Sequence, residues 1–146
     1  MDLRNITNPG SFRHRTDVQL RFNDIDILGH VNNTVYLSFY DLGKALYFRA
    51  VRKDYNFQQV ETIIANVNCA YMEPILFGDE IEVLTRCEAI GEKSFRLLQC
   101  LRDKRTGHLK SACETVMVSY DPKLKASAPL PDAWRQAIAA YEGRPF

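Results

Sequence analysis

The sequence has almost no net charge. Its 19 lysines and arginines are matched by 18 aspartates and glutamates, which leaves a formal net charge of +1 over 146 residues. A chain with so small an excess has no long-range field to attract nucleic acid or an anionic membrane. We therefore expect neither of these as a partner, and an anionic ligand would need a local group of basic side chains.

Long apolar runs are also missing. The first residues, MDLRNITNPGSFRHR, contain no apolar signal-peptide core, and no later stretch offers about 18 consecutive apolar residues. These absences predict a cytoplasmic protein. Repeats, low-complexity segments and an interdomain linker are missing too, so we expect one domain over residues 1–146.

The cysteines do not form a familiar metal-binding motif. Cys69, Cys87, Cys100 and Cys113 are separated by 18, 13 and 13 positions, without a Cys-x-x-Cys pair. Each lies in a strand-like run, where a small, buried, reduced thiol is the simplest interpretation. We expect no metal site, and no Ser-His or Cys-His triad is evident.

The apolar residues that are present predict one long helix and several strands. Val18, Leu20 and Phe22 alternate with polar residues, which predicts a first, half-buried strand. From about Asn32 to Val51, apolar residues recur at helical spacing and cover most of the helix circumference. Such a helix must be enclosed by other elements.

Four further strand-like runs follow the helix and are joined mostly by short turns. They begin near Ala65, Ile81, Phe95 and Ala112. The run from Ile81 to Ala89 alternates with charged residues, which predicts one buried and one solvent-exposed face. A short helix is expected in PDAWRQAIAAYEG. The order predicts an α+β fold in which an antiparallel sheet curls around the long helix.

The stretch RFNDIDILGHVNN, residues 21–33, places two carboxylates directly before this helix. Free N–H groups at a helix start carry the positive end of the dipole and can bind a developing oxyanion. The amides near Asn32, Asn33 and Thr34 are the candidates. Alternatively, Asp24 and Asp26 cap a turn or favour the helix dipole.

The element order and the residues Asp24, Asp26, Gly29, His30, Val31, Asn32, Asn33 and Tyr36 resemble the 4-hydroxybenzoyl-CoA thioesterase-like family. The resemblance covers about residues 17–120 and is most specific in residues 24–36. It implies the hotdog fold, with a five-stranded antiparallel sheet around one long central helix and a short C-terminal helix. The implied activity is hydrolysis of an acyl-CoA thioester. The resemblance also implies a homodimer or homotetramer with the site at the subunit interface, without a metal or any cofactor beyond the coenzyme A of the substrate.

The resemblance also implies roles for individual residues. Asp26 is the expected catalytic carboxylate, either as a general base for water or as a nucleophile. The Asn33 amide is the expected oxyanion donor. His30 receives a supporting role, or simply closes hydrogen bonds at the corner before the helix. Asp41 and Lys44 stand where relatives often carry Glu and Arg, and a helical ion pair is their simplest role. The alternative for Asp41 is a second carboxylate that orients water across the subunit interface.

Coenzyme A carries several phosphates, so a nearly neutral protein needs local cations to bind it. Lys93 and Ser94, with Arg96 close behind, resemble the family's nucleotide-contacting segment. Arg86 is expected nearby on an adjacent strand. The basic run RDKRTGHLK is interpreted as a solvated hairpin turn.

Two alternatives stay open for the function. A thioesterase of this fold could act on acyl-carrier protein, or the chain could bind acyl-CoA without catalysis. A hydratase is disfavoured, because the spacing from Asp26 to His30 is too short for the Asp and His pair of related hydratases. The sequence does not identify the acyl group.

Overall fold

A curled antiparallel sheet packs against a long helix. The structure is a computed structural model that describes residues 1–6, 8–59 and 61–146. Its main elements are β1 (His14–Asp17), α1 (Asn33–Val51), β2 (Thr62–Tyr71), β3 (Ile81–Ile90), β4 (Ser94–Asp103), β5 (Leu109–Asp121), β6 (Ala126–Ser127) and α2 (Asp132–Glu142). Short 3-10 helices lie at Leu3–Asn5, Pro9–Ser11 and Phe22–Asp24.

The sheet has the order β1-β3-β4-β5-β2, and the two-residue β6 pairs with β5. All these pairings are antiparallel. Thr85 of β3 lies opposite Gln99 of β4, Gln99 opposite Cys113 of β5, and Cys113 opposite Cys69 of β2. This is the predicted hotdog architecture, with β1 and β2 at the edges of the sheet.

The helix α1 lies close to β3 because Gly43 has no side chain. A Cβ atom added at Gly43 would lie 2.5 Å from Val83 Cγ1 and 3.0 Å from Gln99 Nε2. On either side of this contact, Tyr40 and Tyr47 are completely buried. Gly43 therefore sets the distance between helix and sheet.

Polar contacts fix the helix over the sheet. The Gln99 side-chain amide donates to the Tyr40 carbonyl and to Thr85 Oγ1, each at 3.0 Å. The Tyr40 hydroxyl donates to Ser111 Oγ at 2.7 Å. Because these groups are buried, an unmade bond would be costly, so the network favours one position of α1.

The first strand lies elsewhere than the sequence predicts. The alternation of Val18, Leu20 and Phe22 predicts a strand there, but β1 ends at Asp17. β1 pairs with β3, and β3 begins at Ile81. The Val18 amide still donates to the Ile81 carbonyl at 3.1 Å, and beyond it the segment runs past the end of its partner. Val18 and Leu20 pack against the core, which explains the alternation without strand pairing.

The prediction of one solvent-exposed face for β3 is wrong. On the side facing away from α1, Glu82 is 5% exposed and Leu84 is fully buried. The N-terminal segment covers this side, because Leu3 and Phe12 pack with Leu84 and Leu98. Alternation within β3 could not reveal this cover, since the covering residues lie about 70 positions earlier in the sequence.

The C-terminal helix α2 closes the far end of the core. Trp134 and Ile138 are buried with Phe48 of α1, and Gly143 ends the helix with a φ of 69°. None of the helices in the described part of the chain is long and apolar enough to cross a membrane.

We expect Gly43→Ala to destabilise the protein by about 1–2 kcal/mol. Alanine favours a helix by about 1 kcal/mol, but the clash with Val83 costs more than this gain. The measurement is the free energy of unfolding in urea. In a Val83→Ala background the 2.5 Å contact with Cγ1 is gone, while the contacts with Gln99 Nε2 at 3.0 Å and with the Cβ atom of residue 83 at 3.2 Å remain, so Gly43→Ala should cost less there. An equal cost in both backgrounds would contradict the contact.

Candidate active site

The residues before α1 form a tightly closed loop. Ile25 and Val31 form an isolated antiparallel bridge, and the Asp26 amide donates to the His30 carbonyl at 3.1 Å. The Gly29 amide donates to the Asp26 carbonyl at 3.0 Å, and Gly29 has a φ of +84°. This left-handed backbone conformation favours glycine at position 29. The loop therefore returns the chain to the helix start within a few residues.

The Asp26 carboxylate is held by two donors. The Leu28 amide donates to Oδ1 at 2.8 Å, and Asn32 Nδ2 donates to Oδ2 at 3.1 Å. The side chain is half-buried. Asp24 is instead buried, where its carboxylate accepts a hydrogen bond from the Arg21 amide at 2.8 Å. The two aspartates thus separate into one structural carboxylate and one at the site.

The first turn of α1 leaves one backbone amide without an acceptor. Asn32 is the N-cap, and its Oδ1 accepts from the Thr34 amide at 2.9 Å. The Val35 amide donates to the Asn32 carbonyl at 2.9 Å. Among the residues that the structure describes, the Asn33 amide has no acceptor. Of the amides considered from the sequence, Asn33 is the one available to a ligand.

The three predicted catalytic residues line one open cavity of about 480 Å³. Its walls come from the loop, the first turn of α1 and the end of β2, and consist of Asp26, Leu28, His30, Val31, Asn33, Tyr36, Tyr71, Met72, Glu73 and Pro74. Asp26, His30 and Asn33 are thereby brought together. His30 is one of the wall residues, and its carbonyl accepts from the Asp26 amide.

Two tyrosines, Tyr36 and Tyr71, contribute to the apolar part of the wall. The rings of Tyr36 and Tyr71 meet edge to face at 5.0 Å between centroids. The Tyr71 hydroxyl donates to the Asn33 carbonyl at 3.3 Å, and the Ile75 amide donates to the Tyr36 hydroxyl at 3.2 Å. Burial raises the pKa of both phenols, which keeps them protonated at neutral pH. The sequence motif includes Tyr36 without assigning it a role, and nothing in the sequence indicates that Tyr71 lies at the site.

A second carboxylate in the wall, Glu73, was also missed by sequence reasoning. It lies 3.3 Å from Lys110 Nζ and 3.3 Å from His108 Nδ1. Both bases belong to the basic run at the β4–β5 turn, which lies at this end of the sheet. No motif marked Glu73, because its position depends on how the end of β2 meets this turn.

Cys69 lies beside the site without lining it. It is half-buried, opposite Cys113 on β5, and its Sγ is 3.5 Å from Ser111 Oγ. A hydrogen bond from Cys113 lowers the pKa of the Cys69 thiol to about 6, and the same contact raises the pKa of Cys113. The other three cysteines are buried, and all four are free.

The predicted coenzyme A contacts do not line this cavity. Ser94 is seven positions before Leu101, which is level with Ser111 and Tyr71 across the sheet. Seven residues of strand span roughly 23 Å. Lys93 directly precedes β4 and is exposed, while Arg96, on β4, lies 3.3 Å from Glu114. These residues belong to the opposite end of the sheet.

Near that opposite end lies another open cavity, of about 600 Å³. Its wall includes Glu61, Ser119 and Pro129. The Ser119 amide donates to the Lys93 carbonyl at 2.8 Å, so the predicted contact segment borders this cavity.

The predicted ion pair on α1 is present, but it is not a symmetric surface pair. Asp41 Oδ1 lies 3.1 Å from Lys44 Nζ; the Asp41 side chain is 64% exposed and the Lys44 side chain only 8%. Eight residues of helix, roughly 12 Å, separate Asp41 from Asn33. In the part of the chain that the structure describes, no group of three or more His, Cys, Asp or Glu side chains could hold a metal ion.

Comparison with known proteins bears directly on this arrangement. Residues 20–138 match the thioesterase-like superfamily. A thioesterase from Thermus thermophilus, solved in complex with coenzyme A and Zn, is 35% identical and superposes with a TM-score of 0.84 over 93% of this chain and 98% of its own. A predicted thioesterase from Bacillus stearothermophilus shares the fold, with 22% identity and a TM-score of 0.80 over 90% and 98% of the two chains.

A curated relative is matched over a shorter region. The uncharacterized protein YsmA of Bacillus subtilis (strain 168) is 25% identical over 87 residues, which are 60% of this chain and 59% of that protein. The superfamily match extends further and includes the closed loop, all of α1 and most of α2. The chain belongs to the thioesterase-like superfamily.

Proposed function

We propose that the protein hydrolyses an acyl-CoA thioester to the free acid and coenzyme A, with Asp26 acting at the thioester carbonyl carbon and the Asn33 amide at the carbonyl oxygen. One observation carries this proposal. Asp26 and Asn33, the residue with the unpaired helix amide, line the same cavity, and the Asn32 side chain connects the Asp26 carboxylate to the first turn of the helix. Thioester hydrolysis needs both an attacking oxygen and a donor for the oxyanion.

In the proposed reaction, the thioester carbonyl oxygen accepts a hydrogen bond from the Asn33 amide. Asp26 then either removes a proton from the attacking water or attacks the carbonyl carbon itself, which gives a mixed anhydride that water hydrolyses. In both routes the carbon–sulfur bond breaks and the thiolate of coenzyme A leaves. A single oxyanion donor typically contributes about a hundredfold to a thousandfold in rate.

Coenzyme A is the carrier that the comparisons favour. The Thermus thermophilus thioesterase is complexed with coenzyme A and is 35% identical over most of both chains. In this proposal coenzyme A is part of the substrate, and neither a further cofactor nor a metal takes part. The free cysteines support a reducing compartment such as the cytoplasm.

A second copy of the chain is part of the proposal, because β2 is uncovered. Residues 63–68 are exposed on both faces of the strand, including Ile63, Ile64 and Val67. One edge of β2 pairs with β5, and the other has no strand partner in the described structure. An exposed apolar edge strand is a ready surface for pairing with another chain. We therefore propose a dimer formed through β2, either alone or within a tetramer.

Such a dimer would also explain the distance of Lys93 and Ser94 from Asp26. A two-fold axis at the middle of β2 would bring the start of one β2 beside the end of the other. Ser94 is level with Ile63 across β5, so it would lie about three strand spacings, roughly 14 Å, from the partner's cavity. The larger cavity bordered by Lys93 would then neighbour the catalytic cavity of the other copy.

We expect Asp26→Asn to lower kcat for acyl-CoA hydrolysis by at least about a hundredfold, since the amide is neither a base nor a nucleophile. Release of free thiol from a panel of acyl-CoA esters measures the rate. The affinity for a non-hydrolysable acyl-CoA analogue should stay close to that of the wild type.

Two further variants assign the role if this expectation fails. If Asp26→Asn retains turnover and either His30→Gln or Asp41→Asn loses it, the catalytic role belongs to the residue whose substitution abolishes turnover.

The panel of substrates should include one acyl group carried on both coenzyme A and acyl-carrier protein. A strong preference for the protein-bound ester would replace coenzyme A as the proposed carrier.

We expect Val67→Lys to convert the dimer to monomer and to lower the hydrolysis rate at the same time. Near the two-fold axis, the substitution sets two like charges against each other in an apolar contact. Sedimentation velocity gives the oligomeric state.

Leu124→Lys is the matched control for this experiment. It places the same charge on a side chain that is 74% exposed, in the turn between β5 and β6. This variant should keep both the oligomeric state and the rate. A dimeric, active Val67→Lys protein would contradict pairing through β2.

A further inference from the structure

The Asn32 side chain contacts both groups used in the proposed reaction. Its Oδ1 accepts from the Thr34 amide at 2.9 Å and from Thr34 Oγ1 at 2.6 Å. Its Nδ2 donates to Asp26 Oδ2 at 3.1 Å. The backbone amide of Asn32 is fixed by the Asp24 carbonyl at 2.8 Å. One planar amide thus connects the start of the helix to the carboxylate.

The orientation of this amide follows from its partners. The backbone N–H of Thr34 can only donate, so the atom of Asn32 that faces it must be the oxygen. The nitrogen then necessarily faces Asp26, whose ionised oxygens only accept. Both contacts are satisfied in one orientation and neither in the flipped one.

Capping alone does not explain an asparagine at this position. Serine, threonine and aspartate also cap helices well, because each supplies an oxygen to the orphan amide. Serine and threonine carry their only donor on the capping oxygen itself, one bond nearer the backbone than Asn32 Nδ2, and aspartate would set a second carboxylate against Asp26. Of the common N-cap residues, asparagine is the one that places the acceptor for Thr34 and the donor to Asp26 on separate atoms.

We infer that Asn32 is a positioning residue for Asp26. The Leu28 amide holds Oδ1, and Asn32 holds Oδ2, so together they fix the rotation of the carboxylate relative to the Asn33 amide. This inference rests on the proposed thioesterase function. Asn32 does not line the cavity. Its loss therefore acts on kcat through Asp26 and leaves substrate binding unchanged.

Asn32→Ser and Asn32→Asp test the inference, because both retain an oxygen for the cap and neither has a donor that reaches Asp26. The serine donor lies on the capping oxygen of a shorter side chain, and the aspartate carboxylate only accepts. With acyl-CoA as substrate, we expect kcat to fall by about tenfold to a hundredfold, the value of a hydrogen bond to a charged group. KM should stay within about twofold, as for an interaction that matters only in the reaction step. The melting temperature should stay within about 5 °C.

The matched control is Asn8→Ser. Asn8 caps the short helix at Pro9–Ser11, where its Oδ1 accepts from the Gly10 amide at 3.1 Å. This exposed cap lies outside the cavity, so all three quantities should equal those of the wild type. An Asn32→Ser protein with wild-type kcat, or one whose loss lies in KM, would overturn the inference.

The crystal structure of Asn32→Ser provides a readout that does not depend on activity. A carboxylate of Asp26 that turns away from the helix start, or occupies two conformers, supports the positioning role. A carboxylate that keeps its position overturns it. If the wild-type protein hydrolyses no acyl-CoA ester, the proposed function fails, and the conformation of Asp26 alone then decides the inference.

Discussion

The closure of the loop between Ile25 and Val31 is the constraint on which the candidate site depends. The bridge between these two residues and the bond from the Asp26 amide to the His30 carbonyl force the chain to turn back on itself. The Val31 amide then donates to the Ile75 carbonyl at 2.8 Å, which ties the loop to the segment after β2. A carboxylate and a helix start that are neighbours in sequence thereby become neighbours across a cavity. Without this closure, the first turn of α1 would have its free amide but no acidic partner.

Buried polar groups between α1 and the sheet also fix the position of the helix. Gln99 binds the Tyr40 carbonyl, and the Tyr40 hydroxyl binds Ser111, whose cross-strand neighbour Tyr71 reaches the start of the helix. A shift of the helix along the sheet would break buried hydrogen bonds, each of which is costly to leave unmade. The close contact at Gly43 restricts the remaining direction, towards the sheet. The position of the helix start at the site is therefore fixed by buried contacts that lie farther along the helix. Tyr40 is seven residues, or roughly 10 Å at 1.5 Å per residue, from Asn33.

The sequence predicted those features whose cause is local. The helix period and the N-cap residues located α1 to within a residue, and the motif around Asp26 identified three residues that share one cavity. Features that depend on distant parts of the chain were missed. The first strand was misplaced because pairing stops where β3 begins, at Ile81. Tyr71 and Glu73 were missed because nothing near them in sequence indicates that the end of β2 meets the start of α1.

The N-terminal segment that covers the outward side of the sheet has consequences for synthesis, fusion and truncation of the chain. Leu3 and Phe12 shield Leu84, Leu98 and Ala112, which come from three different strands. During synthesis these two residues can therefore be buried only after β3, β4 and β5, which are made much later, have been synthesised. A bulky fusion next to Leu3, or removal of the first dozen residues, would expose the apolar outward face of the sheet and favour aggregation. Every residue of the cavity would still be present.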